Sequence, residues 1–265
     1  MADRMQLAGR TAVVTGAASG IGRAIAISLS RRGCNLALAD IDEVGLAETA
    51  KLVDGVRVSR HRLDVADRVA VAQFPDAVAA EHDGVDVLVN NAGVAVGGTF
   101  EQVSDEDFEW LFEINFWGVV RMTRAFLPLL RASEDARVVN VSSVYGIVAP
   151  PEQTAYSASK FAVRGFSEAL RHELEGSGIG VSVVHPGGVA TSIAKNARVP
   201  AGVTEESNLL RAEGAGVRKG NQAAPGGVEG SETAAAGGRE LTIDAECRLV
   251  VPGNVRECRS APQHL

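Results

Sequence analysis

The chain has 265 residues, of which 46% are hydrophobic and 22% charged; this supports a sizeable core and excludes a disordered chain. A net charge of −7 and a pI near 5.3 argue against a general binder of nucleic acid or of anionic membrane. No stretch approaches the roughly 18 uninterrupted apolar residues of a membrane span, and the first ten residues carry no apolar core of signal-peptide length.

In chain order, apolar β-branched runs alternate with segments of helical period. Thr11–Thr15 reads as a strand, Gly20–Arg32 as a helix, Asn35–Asp40 as a second strand and Glu43–Leu52 as a second helix. A third strand is expected over Val56–Val65 and a helix over Arg68–Glu81. Val85–Asn90 follows as a buried strand, then one long helix over Asp105–Arg131, with Ser104 and Asp107 spaced as an N-terminal cap. Arg137–Ser143 and Val181–His185 are further strands, with a helix over Ala155–Glu175 between them. Continuous apolar strands in a βαβα rhythm predict a parallel sheet covered on both faces. Residues 1–200 are read as one α/β domain. Residues 201–265 differ in texture: eight glycines fall between 212 and 240, the composition of a flexible segment. Cys247–Val251 is expected to be a last short strand.

Cys34, Cys247 and Cys258 form no close pair and suit a reducing compartment, so a cytoplasmic protein is expected. Five scattered histidines have no ligand spacing, and no metal is expected.

Two constellations carry chemistry. The first strand runs into Gly16-Ala17-Ala18-Ser19-Gly20-Ile21-Gly22 and then a helix. Such a turn offers bare backbone amides and a helix dipole to a pyrophosphate, although a glycine turn alone serves equally well as a structural bend. Asp40 ends the second strand, where a carboxylate can accept hydrogen bonds from a ribose 2′-hydroxyl and repel a 2′-phosphate. With no arginine adjoining Asp40, the pattern favours NAD over NADP. The second constellation is Ser143, Tyr156 and Lys160. Tyr156 and Lys160 are four apart and share a helix face, and a cation beside a phenol lowers its pKa toward neutrality. Taken alone, the pair fits an ordinary amphipathic surface helix as well.

On these residues the chain resembles the short-chain dehydrogenase/reductase family over roughly residues 7 to 195, carrying that family's TGxxxGxG, NNAG and YxxxK motifs. Thr15 to Gly22 matches the cofactor turn, with Gly16, Ser19, Gly20, Ile21 and Gly22. Asp64 and Val65 lie where the family contacts adenine, and Asn90-Asn91-Ala92-Gly93 matches the motif after the fourth strand. Asn115, Ser143, Tyr156 and Lys160 match the catalytic tetrad. Pro186, Gly187, Val189 and Thr191 match the loop that contacts nicotinamide. The resemblance implies a single Rossmann-like doubly wound domain and an NAD-dependent oxidoreductase, with NADP the alternative cofactor, that interconverts an alcohol and a ketone or aldehyde. Tyr156 would carry the proton, Lys160 would bind the nicotinamide ribose and depress the phenol pKa, and Ser143 would orient the substrate oxygen. Asn115 would hold a helix irregularity; a satisfied core asparagine remains the plain alternative. It also implies a homodimer or homotetramer, toward which Trp110 and Trp117, seven apart on one stripe, would point.

The apolar residues after Ser143 (Val144, Tyr145, Ile147, Val148, Ala149, Pro150 and Pro151) and after Gly93 (Val94, Val96 and Phe100) suggest an uncharged, partly apolar small molecule as partner if they border the cleft; plain packing explains them equally. His185 is read as structural, since Tyr156 already fills the proton-transfer role. A catalytically silent dinucleotide-binding scaffold or redox sensor is the competing function, and isomerase or dehydratase chemistry a third. Residues 212–240 do not resemble the substrate-covering helices and last strand usual in the family; either the chain departs from that pattern or its last third is an altered reading of it.

Overall fold

A computed structural model of the chain describes residues 5–187, 193 and 196–200, with the backbone of two short strands at 242–243 and 249–250. Six strands form one parallel sheet: β1 (Thr11–Thr15), β2 (Asn35–Asp40), β3 (Val58–Arg62), β4 (Val87–Asn90), β5 (Ala136–Val141) and β6 (Ile179–Val184). Their order is β3-β2-β1-β4-β5-β6, so the chain reverses direction across the sheet between β1 and β4. A crevice opens at such a switch point, outside the carboxyl ends of the strands.

Alternation within β1 shows why every residue of the central strands is apolar or buried. Ala12 and Val14 face α1 (Gly20–Ser30) and α2 (Glu43–Lys51) with Ile25, Leu29 and Leu46. Val13 faces the other layer, α3 (Arg68–Ala79) and α5 (Gly118–Ala132), with Phe74, Met122 and Phe126. A strand covered on both faces loses the apolar–polar alternation of a half-exposed one. The first two strands keep the expected bounds, the third is shorter than the Val56–Val65 expected, and the edges of the last three differ by one or two residues. The Ser104 cap forms, its hydroxyl accepting from Asp107 N at 3.1 Å.

The long helix departs from expectation. It runs as α4 (Asp105–Phe112), a π-helical turn at Glu113–Trp117, then α5. A π turn holds an extra residue, about 100° of phase, so the stripe expected to carry both tryptophans is broken. Trp110 faces the crevice while Trp117 is 45% exposed. The two do not form one patch, and that argument for an assembly face falls. The α6 helix (Thr154–Glu173) follows a short 3₁₀ turn at Val144–Gly146. Within the Cys247–Val251 region, β8 (Leu249–Val250) pairs antiparallel with β7 (Thr242–Ile243), as a two-stranded ribbon separate from the main sheet.

Candidate active site

The crevice at the switch point has a volume of about 570 Å³. The turn after β1 forms one end. Gly16 has φ +65, and a Cβ there would stand 2.7 Å from Asn91 Nδ2. A Cβ at Gly22 would overlap the carbonyl of Gly16, so α1 starts flush against the turn. Gly22 is therefore buried behind the crevice, while Gly16, Ser19, Gly20 and Ile21 line it. Ser19 stands at the N-cap with no side-chain cap bond, and the first turn of α1 carries no acid. The leading amides of a helix lack intrahelical partners, so this end is open to an anion.

Thr15 and Asn91 lock that turn to β4. The Thr15 hydroxyl donates to Val89 O at 3.2 Å and accepts from the N–H groups of Asn91 (3.0 Å) and Ala92 (3.1 Å). Asn91 Nδ2 donates to Thr15 O at 2.9 Å. Asn91, Ala92 and Gly93 thus line the crevice through a strand end whose polar groups are tied down. Asp40 lines it as well. Its carboxylate accepts from Ala18 N at 3.0 Å and from Asp42 N at 3.1 Å, leaving acceptor capacity on both oxygens. Asp64 and Val65 follow β3 along the same wall.

At the other end stand Ser143, Tyr156 and Lys160. Ser143 lies just beyond β5, and its hydroxyl accepts from Tyr145 N at 3.1 Å. His185 Nδ1 bonds Ser143 O at 2.9 Å, which fits its expected structural part. Pro186 and Gly187 line the crevice, Pro186 O accepting from Val144 N at 2.9 Å; Val189 and Thr191 fall outside the described residues. Lys160 is 3% exposed. Its ammonium donates to Val141 O at 3.1 Å and lies 5.7 Å from the centroid of the Tyr156 ring, so the two side chains do share a face.

The electrostatics differ from expectation. Burial raises the Tyr156 pKa above its ordinary 10, opposed by a hydrogen bond from Ser143. Burial also lowers Lys160, from 10.5 to about 8. Proximity to a cation predicts a depressed phenol; removing the phenolate from water raises it instead. Asn115 is fully buried in the π turn. Its Oδ1 accepts from Val94 N at 2.8 Å, and its Nδ2 donates to Val94 O at 3.0 Å and Ser159 Oγ at 3.2 Å. The amide is therefore satisfied, and it joins the loop after β4 to α6 rather than entering the crevice.

Sequence reasoning passed over further lining residues, among them Trp110, Ile114 and Arg198. Trp110 had only its helical stripe as a signal, and Arg198 had none. Of the apolar residues thought to border the crevice, Val94 does so, whereas Phe100, Ile147 and Val148 project into solvent at 68%, 49% and 54% exposure.

The sequence profile described as short chain dehydrogenase matches residues 10–201. The chain belongs to the short-chain dehydrogenase/reductase family. SadH of Mycobacterium tuberculosis, an oxidoreductase by name, is 47% identical over 203 residues, 75% of this chain and 74% of that one. A short-chain dehydrogenase/reductase from Burkholderia phymatum, crystallised with NAD, superposes with a TM-score of 0.75 at 36% identity, covering 82% of each chain. The structure of NAD⁺-bound xylitol dehydrogenase gives 0.67 at 29% identity, over 69% of this chain and 72% of that one. Short-chain dehydrogenase/reductases are oxidoreductases that bind NAD(P). The donor set fits such a dinucleotide: uncapped amides for a pyrophosphate, a carboxylate at the end of β2 for a ribose, and a buried ammonium with two N–H donors to spare.

Proposed function

We propose that the protein interconverts an alcohol and a ketone or aldehyde, using NAD in preference to NADP. The bound nicotinamide would accept or supply the hydride. Tyr156 would take or give the proton at the substrate oxygen, with the Ser143 hydroxyl fixing that oxygen's position. Lys160 would hold ribose hydroxyls with its spare N–H groups, and Asn115 would keep the Val94 loop and α6 in register beneath the site. The carboxylate of Asp40 would accept from a ribose 2′-hydroxyl and repel a 2′-phosphate.

The observation that carries this reading is the burial of Lys160. An ammonium taken out of water with one carbonyl partner costs several kcal/mol, a cost without purpose in a fold that needs only packing there. The Val94, Trp110 and Ile114 side of the wall supports an uncharged, partly apolar substrate. A homo-oligomer, as the family resemblance implies, in the reducing cytoplasm that the unpaired cysteines suit, completes the proposal. Fluorescence titration with NADH and NADPH, followed by a panel of secondary alcohols and ketones, tests it. Tyr156→Phe should retain NADH binding and lose turnover by about 10³-fold, within the range of a lost general acid–base group. Turnover that survives the substitution removes Tyr156 from the mechanism, and NADH binding with no turnover of any panel member favours a silent scaffold.

A further inference from the structure

The roles above leave one part of the crevice wall without an account. Arg198 lines it beside Trp110, and three separate contacts hold it there. Its backbone forms a parallel bridge with Val96, donating to Ala95 O at 3.0 Å and accepting from Gly97 N at 3.4 Å. Its guanidinium carbon lies 3.6 Å from the centroid of the Trp110 ring. Its Nη1 donates to Asp107 Oδ1 at 2.8 Å.

The neighbouring backbone is equally constrained. Gly98 has φ +140, and a Cβ there would come within 2.8 Å of Pro200 Cγ. Gly98 N also donates to Glu152 O at 3.2 Å. Glu152 itself has φ 64, the one non-glycine residue with positive φ among the described residues; such conformations cluster where surrounding structure over-determines them. The loop after β4, the loop before α6 and the segment Asn196–Pro200 therefore meet at one point. A guanidinium whose charge is balanced by Asp107 and whose face is covered by an indole is a poor receptor for an anion. It is a good clasp, because the flat fork satisfies ring and carboxylate together.

We propose that Arg198 is a positioning and specificity-determining residue: stacked on Trp110 and paired with Asp107, it pins Asn196–Pro200 against the loop after β4 and fixes the substrate-side wall for an uncharged substrate. The specificity part rests on the alcohol–carbonyl reading above; the clasp does not.

The chain has two tryptophans, so Trp117→Phe leaves Trp110 as the sole reporter. In that background, acrylamide quenching of Trp110 should roughly double on Arg198→Ala, with Arg198→Lys in between, since lysine keeps the charge and loses the flat stack. An unchanged quenching constant overturns the clasp. With cyclohexanol and NAD as probes, Arg198→Ala should raise KM about tenfold, or about 1.4 kcal/mol, while kcat falls less than threefold and the NADH dissociation constant stays within twofold. A lower kcat at unchanged KM overturns the specificity role. A loss confined to carboxylate-bearing alcohols overturns it in favour of an anion site. A wild-type protein that turns over no alcohol refutes the oxidoreductase reading alone, and quenching then decides the clasp by itself.

Discussion

Replacing Lys160 by methionine separates stability from function. The ammonium is 3% exposed, and burial holds its pKa at about 8 against an ordinary 10.5. That displacement corresponds to about 3 kcal/mol spent at neutral pH to keep the folded-state ammonium charged. Because the folded pKa is the lower one, the unfolded chain binds more protons between pH 8 and 10.5. Wild-type stability contributed by this group therefore rises with pH across that window and is least below pH 8. Methionine carries no titrating group and has a similar shape, although it abandons the carbonyl of Val141, at a cost of about 1–3 kcal/mol. At pH 7 the two changes nearly cancel, and Lys160→Met should match the wild type or exceed it by up to about 2 kcal/mol. The pH dependence has no such cancellation: the stability of the variant relative to wild type should fall by about 2–3 kcal/mol between pH 7 and pH 10. Urea unfolding followed by circular dichroism at four or five pH values measures it. A difference that stays flat with pH would show that Lys160 is not desolvated, and the argument from its burial would fail.

Asp40→Asn keeps an acceptor for Ala18 N and removes the charge, so discrimination against NADPH should relax by about tenfold or more in fluorescence titration; an unchanged ratio would take Asp40 out of cofactor choice. Since burial raises the Tyr156 pKa, the phenol is protonated at neutral pH. Steady-state rates of alcohol oxidation should then climb through the alkaline range, while carbonyl reduction stays level near neutrality and declines only at alkaline pH; an oxidation rate that peaks below pH 7 contradicts the assignment. Asn115→Ala strips three hydrogen bonds and leaves the partly buried Val94 N and O without these partners, at an expected cost of about 2–4 kcal/mol in thermal or urea unfolding. A loss below about 0.5 kcal/mol would mean that the Val94 loop finds other partners.

Much of this was legible in the chain because the signals were local. Strand positions followed from unbroken apolar runs, Ser143 from its place at the end of one, and Tyr156 and Lys160 from a register that a helix must preserve. The irregularity at Asn115 came from the family resemblance and not from apolar periodicity, on which a π turn leaves no mark except the phase slip between Trp110 and Trp117. What escaped was of two kinds. The tyrosine pKa was misjudged because spacing conveys proximity to a charge and says nothing of desolvation. Arg198 was invisible since its partners, Asp107 and Trp110, lie about 90 residues earlier, joined to it by a backbone bridge with no sequence signature. The family match ends at residue 201, close to where glycine begins to dominate, and the short strand read at Cys247–Val251 has its only described partner in Thr242–Ile243.

The inner face of α6 explains how a site can be held to hydrogen-bond tolerance by a fold driven by a non-directional force. Its buried residues are Ala155, Ser157, Ser159, Lys160, Val163 and Ser167, a face more polar than apolar. Ser142 Oγ donates to Lys160 O at 2.9 Å, Asn140 Nδ2 to Ser167 Oγ at 2.9 Å, and Asn90 Nδ2 to Asn140 Oδ1 at 2.8 Å. Apolar contact alone would let a helix slide or turn on the sheet at small cost, because burial counts area and not direction. Hydrogen bonds from the end of β5, where Asn140 is itself held by Asn90 of β4, forbid that, since a shift of one residue would strand several buried polar groups at about 1–3 kcal/mol each. The register that keeps Tyr156 and Lys160 at the strand ends is thus specified by polar pairs deep in the core, where hydrophobic residues would pack at least as stably but would not choose one position.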